Sequence, residues 1–441
     1  MQGYKDSGIE WIGEIPEIWR INKIKYIANL YGRIGWQGLT SDEYVDEGPY
    51  LITGVDFSNG KIDWNNCVHI SEYRWEQADK IKIKNGDLLI TKDGTVGKVA
   101  IVNNLTDKAS LNSGVLLINL NVKNNKKFLF WVLCSEVFWT WFNYKNSGNS
   151  TILHLYQKDF NEFQYCMPSV QEQRQIADFL DEKCERIDRI TEKIERQIEI
   201  LKEYKKSLIT ETVTRGLNKN VKMKDSGVEW IGRIPEDWRI SRIKYEVRGM
   251  GSGTTPDSSN SLFYNGESHW IQSGDIYGKD SIDDTEKKIT DLAILSNRTL
   301  RFYKKPYVVV AMYGASVGNV AVSNIDAYTN QACCVIMEGK DLNYKYLYYS
   351  LIASKDQMLM IAMGGTQPNV SQQLLKNLII SVPDLSEQSQ IVRFLDQGCN
   401  RLNLVISKKA KQLDIIKEHK KSLIYEYVTG KKRVGGIENG D

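Results

Sequence analysis

Residues 169–214 have the sequence SVQEQRQIADFLDEKCERIDRITEKIERQIEILKEYKKSLITETVT, and the rest of the chain is organised around this stretch. Residues 384–429 repeat it without a gap as DLSEQSQIVRFLDQGCNRLNLVISKKAKQLDIIKEHKKSLIYEYVT. Apolar residues recur mainly every three or four positions, which is typical of an α-helix with one apolar stripe. Each helix would measure roughly 65 Å. Because one such helix cannot bury its stripe alone, we expect the two copies to pack on each other.

Eight apolar positions mark the stripe most clearly. They are Ile187, Ile194, Leu201 and Leu208 in the first copy, and Leu402, Leu413, Ile416 and Leu423 in the second. The second stripe is interrupted, because Lys409 occupies the position equivalent to Ile194 and Gly398 lies within the same helix. We therefore expect the packing to be less regular along the second copy.

A second repeated block precedes each variable region. Residues 5–26, KDSGIEWIGEIPEIWRINKIKY, return at residues 224–245 as KDSGVEWIGRIPEDWRISRIKY. The chain therefore consists of two half-copies, each with a block, a variable region and a long helix. We expect Trp11, Trp19, Trp230 and Trp238 to anchor each half in its core rather than to form aromatic ligand sites. The predicted segments are a first domain at 1–167, a helix at 168–216, a second domain at 217–382, a helix at 383–430 and a tail at 431–441.

The two variable regions differ in sequence but share an order of predicted elements. Strands are predicted at residues 86–90 and 99–102 in the first region, and at residues 306–311 and 320–322 in the second. Asn112 and Asn330 each precede a third apolar strand, and a helix follows in both regions. We therefore predict two mixed α/β domains, of the α+β kind, each leading into one long helix. The pattern leaves the pairing order of the strands open.

The composition excludes several classes of protein. The chain has 441 residues and a formal net charge of +3, and no apolar run is long enough to span a bilayer. Its start lacks the apolar segment of a signal peptide, so we expect a cytoplasmic protein without a membrane partner. The seven cysteines are scattered, which favours reduced thiols. Because the net charge is small, nucleic-acid binding would require local basic patches.

No catalytic signature emerges from the sequence. Residues 93–98, DGTVGK, are similar to a phosphate loop but lack the Ser or Thr after the lysine, so a tight turn between two strands is favoured. The four histidines lie far apart, which argues against a zinc cluster or a histidine-based triad. Cys333 and Cys334 are adjacent in a predicted strand, where their side chains should point to opposite faces. We predict no catalytic residue, no metal site and no cofactor in this chain.

The variable loops carry side chains of the types that contact bases and phosphates. In the first half the candidates are Arg33, Trp36, Gln37, Lys92, Thr95 and Lys98. In the second half they are Thr254, Thr255, Tyr313, Ser316 and Asn319. Taken singly, each residue type is common on ordinary surface loops. The informative feature is the contrast between a repeated framework and unlike loops, which is expected if two related domains bind two different sequences.

Two sets of lysines occupy equivalent positions in the long helices. They are Lys202, Lys205 and Lys206 in the first copy, and Lys417, Lys420 and Lys421 in the second. These ammonium groups could hold DNA phosphates or could only keep the helix surface hydrated. Interleaved acids such as Glu199 and Glu203 favour hydration slightly, and the sequence leaves both interpretations open.

The repeated motifs together resemble the specificity subunit of type I restriction-modification systems. The resemblance is carried by the paired SG-[IV]-EWIG-x-IPE-x-W starts, the paired P-[SD]-[VL]-x-EQ-x-QI helix openings and the K-K-S-L-I helix ends. It covers essentially the whole chain, and the duplicated order of motifs is itself specific. It implies two target recognition domains, each binding one half of a split double-stranded DNA sequence. It also implies that the helices form an antiparallel coiled coil with pseudo-twofold symmetry.

The same resemblance implies that the chain is not itself an enzyme. Its helices would dock two modification subunits, which bind S-adenosylmethionine and methylate adenine. Separate restriction subunits would use ATP and Mg²⁺ to translocate and cut DNA. Two alternatives are compatible with the residues: an autonomous DNA-modifying enzyme with an unrecognised site, and a coiled-coil adaptor that does not contact DNA.

Overall fold

The computed structural model describes residues 3–33, 38–121, 124–147, 153–362 and 369–435. These residues form two compact units. The first unit contains residues up to 194 and from 411 onward, and the second contains residues 195–410. Each unit thus combines one variable region with the first part of one long helix and the last part of the other. The boundaries expected from the sequence, which separated helices from domains, do not coincide with these units.

Strands and short helices alternate in the first unit up to the first long helix. Its strands are β1 Tyr4–Asp6, β2 Glu14–Pro16, β3 Arg20–Lys23, β4 Ala28–Gly32, β5 Tyr44–Ile52, β6 Phe57–Ser58, β7 Lys61–Ile62, β8 Val68–Ile70, β9 Leu88–Thr91, β10 Val99–Ile101, β11 Ala109–Leu111, β12 Val115–Leu120 and β13 Gln164–Met167. Its helices are α1 Ile24–Ile27, α2 Glu72–Glu76, α3 Lys126–Cys134, α4 Glu136–Asn146 and α5 Gln157–Phe160, and the long helix that follows is α6 Val170–Arg215.

The second unit repeats this alternation before the second long helix. Its strands are β14 Met223–Asp225, β15 Arg233–Pro235, β16 Arg239–Arg242, β17 Gly249–Gly251, β18 Tyr264–Ile271, β19 Ser281–Ile282, β20 Lys288–Ile289, β21 Phe302–Tyr303, β22 Tyr307–Ala311, β23 Val320–Ser323, β24 Ala327–Thr329, β25 Cys333–Met337 and β26 Ile379–Val382. Its helices are α7 Ile243–Glu246, α8 Ser273–Ile276, α9 Asp291–Ser296, α10 Tyr344–Ala353, α11 Lys355–Ala362 and α12 Gln372–Asn377, and the long helix that follows is α13 Leu385–Val428.

The variable regions share a common sheet order. Neighbouring strands follow the order β4-β12-β9-β10 in the first unit and β17-β25-β22-β23-β19 in the second. Strand β9 is antiparallel to β10 and β12, just as β22 is antiparallel to β23 and β25. A second sheet, β11-β5-β8 or β20-β18-β24-β21, includes one parallel pair in each unit. The predicted strands are confirmed, and the shared order shows the internal duplication in three dimensions.

The central strand β9 shows how each sheet divides the core. Leu88 and Ile90 pack into a hydrophobic cluster that contains residues of α3, α4 and both long helices, whereas Leu89 packs into a separate cluster. This alternation follows from the two-residue repeat of a strand. In β25, Cys333 and Cys334 are likewise buried in different clusters, as predicted. The sheet therefore has two buried faces, and its polar side chains are concentrated at the ends of its strands.

A tryptophan–glutamate hydrogen bond joins the repeated block to the long helix in each unit. Trp19 Nε1 donates to Glu172 Oε2 over 3.0 Å, and Trp238 Nε1 donates to Glu387 Oε2 over 2.8 Å. Both indole rings are buried, which confirms the anchoring role predicted for Trp19 and Trp238, whereas Trp11 and Trp230 are only half-buried. The antiparallel strand pairs β3–β13 and β16–β26 bring each block beside the start of its helix.

The residue after each of these glutamates binds the variable region. Gln173 Oε1 accepts a hydrogen bond from the Asn125 N–H over 2.9 Å, and Gln388 Oε1 accepts one from the Asn343 N–H over 2.8 Å. Asn125 and Asn343 in turn cap the N-termini of α3 and α10 with their side chains. The first turn of each long helix therefore holds both the repeated block and a helix of the variable region.

The two long helices run antiparallel where they meet in the first unit. The rings of Phe179 and Tyr427 have centroids 4.5 Å apart, and Asp188 pairs with Lys420 over 2.6 Å. Residue numbers thus increase along α6 in the direction in which they decrease along α13. The eight positions that mark the predicted stripe are buried or half-buried, whereas Ile190 and Val405, which also belong to it, are 39% and 40% exposed. None of the helices that the structure describes is both long and apolar enough to span a membrane.

In the second unit, both interruptions of the stripe have specific neighbours. A Cβ added to Gly398 would lie 3.3 Å from Leu208 Cδ2, so the glycine leaves room for a close approach of the helices. Lys409 Nζ donates to Gln197 Oε1 over 2.7 Å, which keeps its charged end at the helix surface. The pairing is again antiparallel. A lysine and a glycine are therefore accommodated without breaking either helix.

We predict that Trp238→Phe destabilises the full chain by about 1–3 kcal/mol, because it leaves the half-buried Glu387 carboxylate without its indole donor. Burial raises the pKa of Glu387 above its ordinary value, and the Trp238 hydrogen bond opposes this rise. Without the indole donor, the ionised form of the Glu387 carboxylate is less stable in the folded protein. The loss should therefore be largest near neutral pH and shrink as the pH falls through the raised pKa of Glu387. Thermal unfolding midpoints measured across this pH range test the prediction.

Trp230→Phe is the matched control for this variant. The Trp230 ring is half-buried, and its indole makes no side-chain hydrogen bond within the described residues. An equal loss of stability in both variants, or a loss in Trp238→Phe that does not change with pH, would contradict the role of the hydrogen bond.

Candidate nucleic-acid interface

Four loops of the first unit meet at the end of β9. Thr95 Oγ1 donates to Gly54 O over 3.0 Å, which joins the β9–β10 loop to the loop after β5. The Lys92 N–H donates to Gly114 O over 2.8 Å, and the Leu155 N–H donates to Lys92 O over 2.9 Å. We call this assembly the first loop cluster. It comprises residues 53–56, 92–98, 112–114 and 153–155.

The turn at residues 92–98 connects two antiparallel strands, which confirms the interpretation of this segment as a tight turn. Gly97 has a φ of 82°, and a Cβ there would lie 2.6 Å from the Trp139 ring. The turn therefore requires glycine at this position. Thr95 and Lys98 are exposed on the turn, and Lys92 is half-buried. Two of the three predicted residues in this segment are thus accessible to a ligand.

A charged cluster lies beside this turn. Lys92 Nζ and His154 Nδ1 contact different oxygens of the Asp93 carboxylate, at 2.8 and 2.6 Å. Burial alone would raise the pKa of Asp93, but the hydrogen bonds from His154 and Lys92 outweigh it and lower the pKa. The carboxylate therefore stays ionised and positions both basic side chains. Sequence reasoning missed His154, since nothing local marks a partner 61 residues away.

The structure places Arg33 differently from the sequence-based expectation. Its Nε donates to Leu111 O over 2.7 Å, and a terminal nitrogen donates to Ser110 Oγ over 2.9 Å. The residue is only 6% exposed, and burial, followed by the nearby Arg74, lowers its pKa to about 10. Arg33 therefore joins the end of β4 to β11 instead of facing outward. Trp36 and Gln37, which were predicted beside it, lie outside the described residues.

The second unit assembles an equivalent group of loops, the second loop cluster. It comprises residues 252–256, 272–275, 312–319, 330–332 and 369–371. Thr255 Oγ1 donates to Gln331 Oε1 over 2.6 Å. The Met312 N–H donates to Ala332 O and the Val370 N–H donates to Met312 O, both over 2.8 Å. As in the first unit, the loop between the two central strands, here β22 and β23, makes hydrogen bonds to the neighbouring loops.

The predicted residues of the second unit occupy two kinds of environment. The half-buried ones are Thr254, Thr255, Tyr313 and Asn319. Burial raises the pKa of Tyr313, so its phenol stays protonated and can donate a hydrogen bond. Asn319 Oδ1 accepts a hydrogen bond from Lys355 Nζ over 2.5 Å. Ser316 differs from the expectation, because it is only 5% exposed and its carbonyl closes the turn by accepting the Asn319 N–H.

Asp56 and Asp275 are buried aspartates that were not predicted from the sequence. They accept hydrogen bonds from the backbone of the loop after β5 and of its counterpart after β18, respectively. Asp56 Oδ2 accepts from the Thr53 N–H over 2.6 Å, and Asp275 Oδ2 accepts from the Gln272 N–H over 2.8 Å. Asp275 Oδ1 also accepts from the Glu286 N–H over 3.0 Å. The sequence does contain a pattern that could have identified them, because each aspartate lies four residues after the isoleucine that ends a strand. These carboxylates hold the bases of the loop clusters and leave the loop tips free to differ.

The side chains that the two clusters present include hydroxyl, amide and ammonium groups, whereas the carboxylates of Asp56, Asp93 and Asp275 are engaged in holding the loops and their basic side chains. Among the described residues, no group of three or more His, Cys, Asp or Glu side chains could hold a metal ion. Hydroxyls and amides can donate and accept hydrogen bonds, and ammonium groups attract phosphates. This donor set is suited to contacting a nucleic acid, and the absence of a catalytic group remains a prediction.

Comparison with solved structures extends the description of the fold. A chain from a structure on the complex assembly and conformational transition of the type I R-M system superposes with a TM-score of 0.72 and 17% identity. The match covers 95% of this chain and 99% of that chain. It shows that the two chains share one architecture, long helices included.

Sequence relatives cover the same full extent. A candidate MjaX type I restriction enzyme specificity subunit from Methanocaldococcus jannaschii is 26% identical over 98% of this chain and 99% of its own length. The MjaVIII type I restriction enzyme specificity subunit from the same organism is 24% identical over 99% of each chain. The family described as type I restriction modification DNA specificity domain matches this chain twice, at residues 16–200 and 235–414. The chain therefore belongs to the type I restriction-modification DNA specificity family.

Proposed function

We propose that this chain is the sequence-recognition subunit of a type I restriction-modification complex, and that it binds a bipartite double-stranded DNA target. Each loop cluster contacts one half-site. One observation carries this proposal: the two units share a strand order and similarly fastened loops, yet they present different side chains at the loop tips. A duplicated framework with unlike tips is what two different half-sites require.

The first loop cluster presents cationic and hydroxyl groups. Lys98 and Thr95 are exposed on the β9–β10 turn, and Asp93 holds Lys92 and His154 beside it. Lysine binds phosphate as a point charge, whereas a threonine hydroxyl can also contact a base edge. This cluster therefore combines attraction to the backbone with hydrogen bonding to bases.

The second loop cluster presents mainly neutral groups. The exposed Gln331 is oriented by Thr255, whose hydroxyl donates to the amide oxygen. A glutamine held in this way keeps its amide N–H groups available, and a glutamine amide pairs well with the N6 and N7 edge of adenine. Thr255 acts as a positioning residue for Gln331, with Tyr313 and Asn319 nearby in the same cluster. The two half-sites are therefore recognised by different side-chain chemistry.

The long helices dock two modification subunits, and restriction subunits join the complex through them. Ile200 and Ile415 occupy equivalent positions in the two helices and remain 60% and 69% exposed. An apolar side chain repeated on two polar helices supports two equivalent docking surfaces. S-adenosylmethionine, ATP and Mg²⁺ belong to those partner subunits, this chain is not catalytic, and the complex acts in the cytoplasm.

We expect the purified chain, freed of partner subunits, to leave DNA unmethylated with S-adenosylmethionine and uncut with Mg²⁺ and ATP. The reason is that its loop clusters contain hydrogen-bonding and cationic groups but no recognisable catalytic constellation. Adding the purified modification subunit should restore methylation of one bipartite motif, measured by sequencing the methylated bases. Methyl transfer by the partner-free chain would favour an autonomous enzyme, and methylation that does not depend on this chain would favour an adaptor.

We predict that exchanging residues 247–378 for those of a relative changes only one half of the methylated motif. This segment lies between α7 and β26, so the exchange keeps the strands that tie the variable region to the long helix. Exchanging residues 28–163, between α1 and β13, is the matched experiment and should change only the other half. Methylome sequencing reads out both. A change in both halves from one exchange would show that recognition is not modular.

Two single variants should separate base contacts from phosphate contacts. Gln331→Ala should alter the second half-site and cost about 1–3 kcal/mol of discrimination. Lys98→Ala should weaken binding to all sequences and flatten the salt dependence by about one phosphate contact. The controls are Gln390→Ala on α13 and Lys84→Ala, which lies beyond the opposite end of β9. Salt titrations with matched and unrelated duplexes measure both effects. If the control variants behaved like the test variants, Gln331 and Lys98 would not be the residues that contact the base and the phosphate.

A further inference from the structure

An open groove of about 830 Å³ lies in the second unit, between the long helices, α8, the β22–β23 loop and α11. Five lysines line this basic groove: Lys202, Lys205, Lys206, Lys279 and Lys355. The one acid among its lining residues is Asp280. All of them belong to residues 195–410, so the groove lies within one compact unit. The surplus of ammonium groups indicates an anionic ligand.

Part of this charge is neutralised inside the unit. Lys205 Nζ lies 3.4 Å from Asp280 Oδ2, and Lys206 Nζ lies 2.6 Å from Asp356 Oδ2. The Asp280 carboxylate is also shared with other donors, because it accepts from the Tyr348 hydroxyl over 2.9 Å. Two of the five lysines therefore have an acidic partner that reduces their pull on an external anion.

The remaining charge is less well compensated. Lys355 donates to the neutral amide oxygen of Asn319, and Lys279 is exposed and has no ion-pair partner among the described residues. Lys202 is 3.5 Å from Glu199, with both side chains more than half exposed, so this pair is weak. Burial, and to a lesser degree the nearby Lys206, lowers the pKa of Lys355, so its surroundings disfavour the charged form. An anion bound beside it would favour that form.

The first unit lacks this groove chemistry at the duplicated positions. There, Lys420 contacts both oxygens of Asp188, at 2.6 and 2.7 Å, whereas the second unit has Asn403 at the position equivalent to Asp188. Glu136 begins α4 at the place where Lys355 begins α11. Two acids of the first unit thus correspond to a neutral and a basic residue in the second. The basic groove is therefore a property of one unit and not of the shared fold.

The groove is continuous with the second loop cluster, because its wall contains Ala315, Val317, Gly318 and Asn319 of the β22–β23 loop. We propose that the basic groove binds backbone phosphates of the DNA whose half-site the second loop cluster recognises, and that the first unit makes no equivalent contact. This inference rests on the proposed function. Lysines hold phosphates without distinguishing bases. An acidic protein segment would match the charge, but it would not explain the continuity with the loop cluster.

The test compares two double variants matched by the duplication. Lys202→Gln/Lys206→Gln removes two groove lysines, and Lys417→Gln/Lys421→Gln removes the equivalent residues of the other helix. Each full chain is purified with its modification subunits, and binding to a duplex carrying the methylated motif is titrated against salt. The slope of log K against log salt should flatten by about 0.9 for the lost Lys202 contact in the groove variant, and by less for Lys206, because Asp356 already compensates its charge. The matched variant should keep the slope of the unmodified protein.

The methylated motif should remain unchanged in the groove variant, since phosphates carry no base identity. Equal slopes in the two double variants would overturn the proposal. Loss of a modification subunit from the groove variant, with an unchanged slope, would also overturn it and assign the groove to an acidic protein segment. If the groove variant keeps both its sequence-specific binding and the salt slope of the unmodified protein, only the phosphate role of the groove is refuted. If the unmodified complex shows no sequence preference, the proposed function itself is refuted.

A second variant keeps the proposal testable if the double variant does not fold. Lys279→Gln removes an exposed lysine without a described ion pair, so folding should be unaffected and the thermal unfolding midpoint should be unchanged. The salt slope should flatten by about 0.9. A folded Lys279→Gln complex with the slope of the unmodified protein would count against the groove as a phosphate site.

Discussion

A buried indole N–H bound to a glutamate in the first turn of a long helix holds each unit together. Trp19 and Trp238 supply the donors, and Glu172 and Glu387 supply the acceptors. A buried indole needs such a partner, and a carboxylate near a helix N-terminus is also favoured by the helix dipole. Because the next residue binds the cap of α3 or α10, one helical turn sets the position of the block, the helix and the sheet together.

This arrangement explains how loops can differ on a common framework. The bases of the loops are held by backbone hydrogen bonds and by the buried carboxylates of Asp56 and Asp275. Side chains at the tips add a few contacts of their own, since Thr95 and Lys98 donate to Gly54 O and Thr255 donates to Gln331. Lys98 in one unit and Gln331 in the other are exposed and can change without loss of packing. The residues proposed to contact DNA are therefore mostly different from those that hold the loops in place.

The duplicated helices show a similar separation. Gly398 and Lys409 interrupt the apolar stripe, yet α13 continues through both, because close approach and an amide hydrogen bond replace the missing contacts. Charges outside the stripe are not needed for packing, so the two units can carry different ones. Asp188 and Glu136 in one unit correspond to Asn403 and Lys355 in the other, so related surfaces differ in charge.

Local patterns in the sequence by themselves determined the two long helices, the internal duplication, the central strands and the anchoring tryptophans. Each depends on spacing within a short segment or on the comparison of two repeated segments. The family resemblance rested on the same motifs. Arg33 and Ser316 are more buried than their loop-like sequence context indicated, and local sequence could not reveal this.

Only the tertiary structure decided which strands pair, where the compact units divide the helices, and which side chains share a loop cluster. The contact between Asp93 and His154, the pairing of Thr255 with Gln331 and the basic groove of the second unit all join segments far apart in the chain. Burial and charge balance depend on what packs against a residue. A periodic pattern specifies an element and its buried face, but the partner of that face is set by long-range packing.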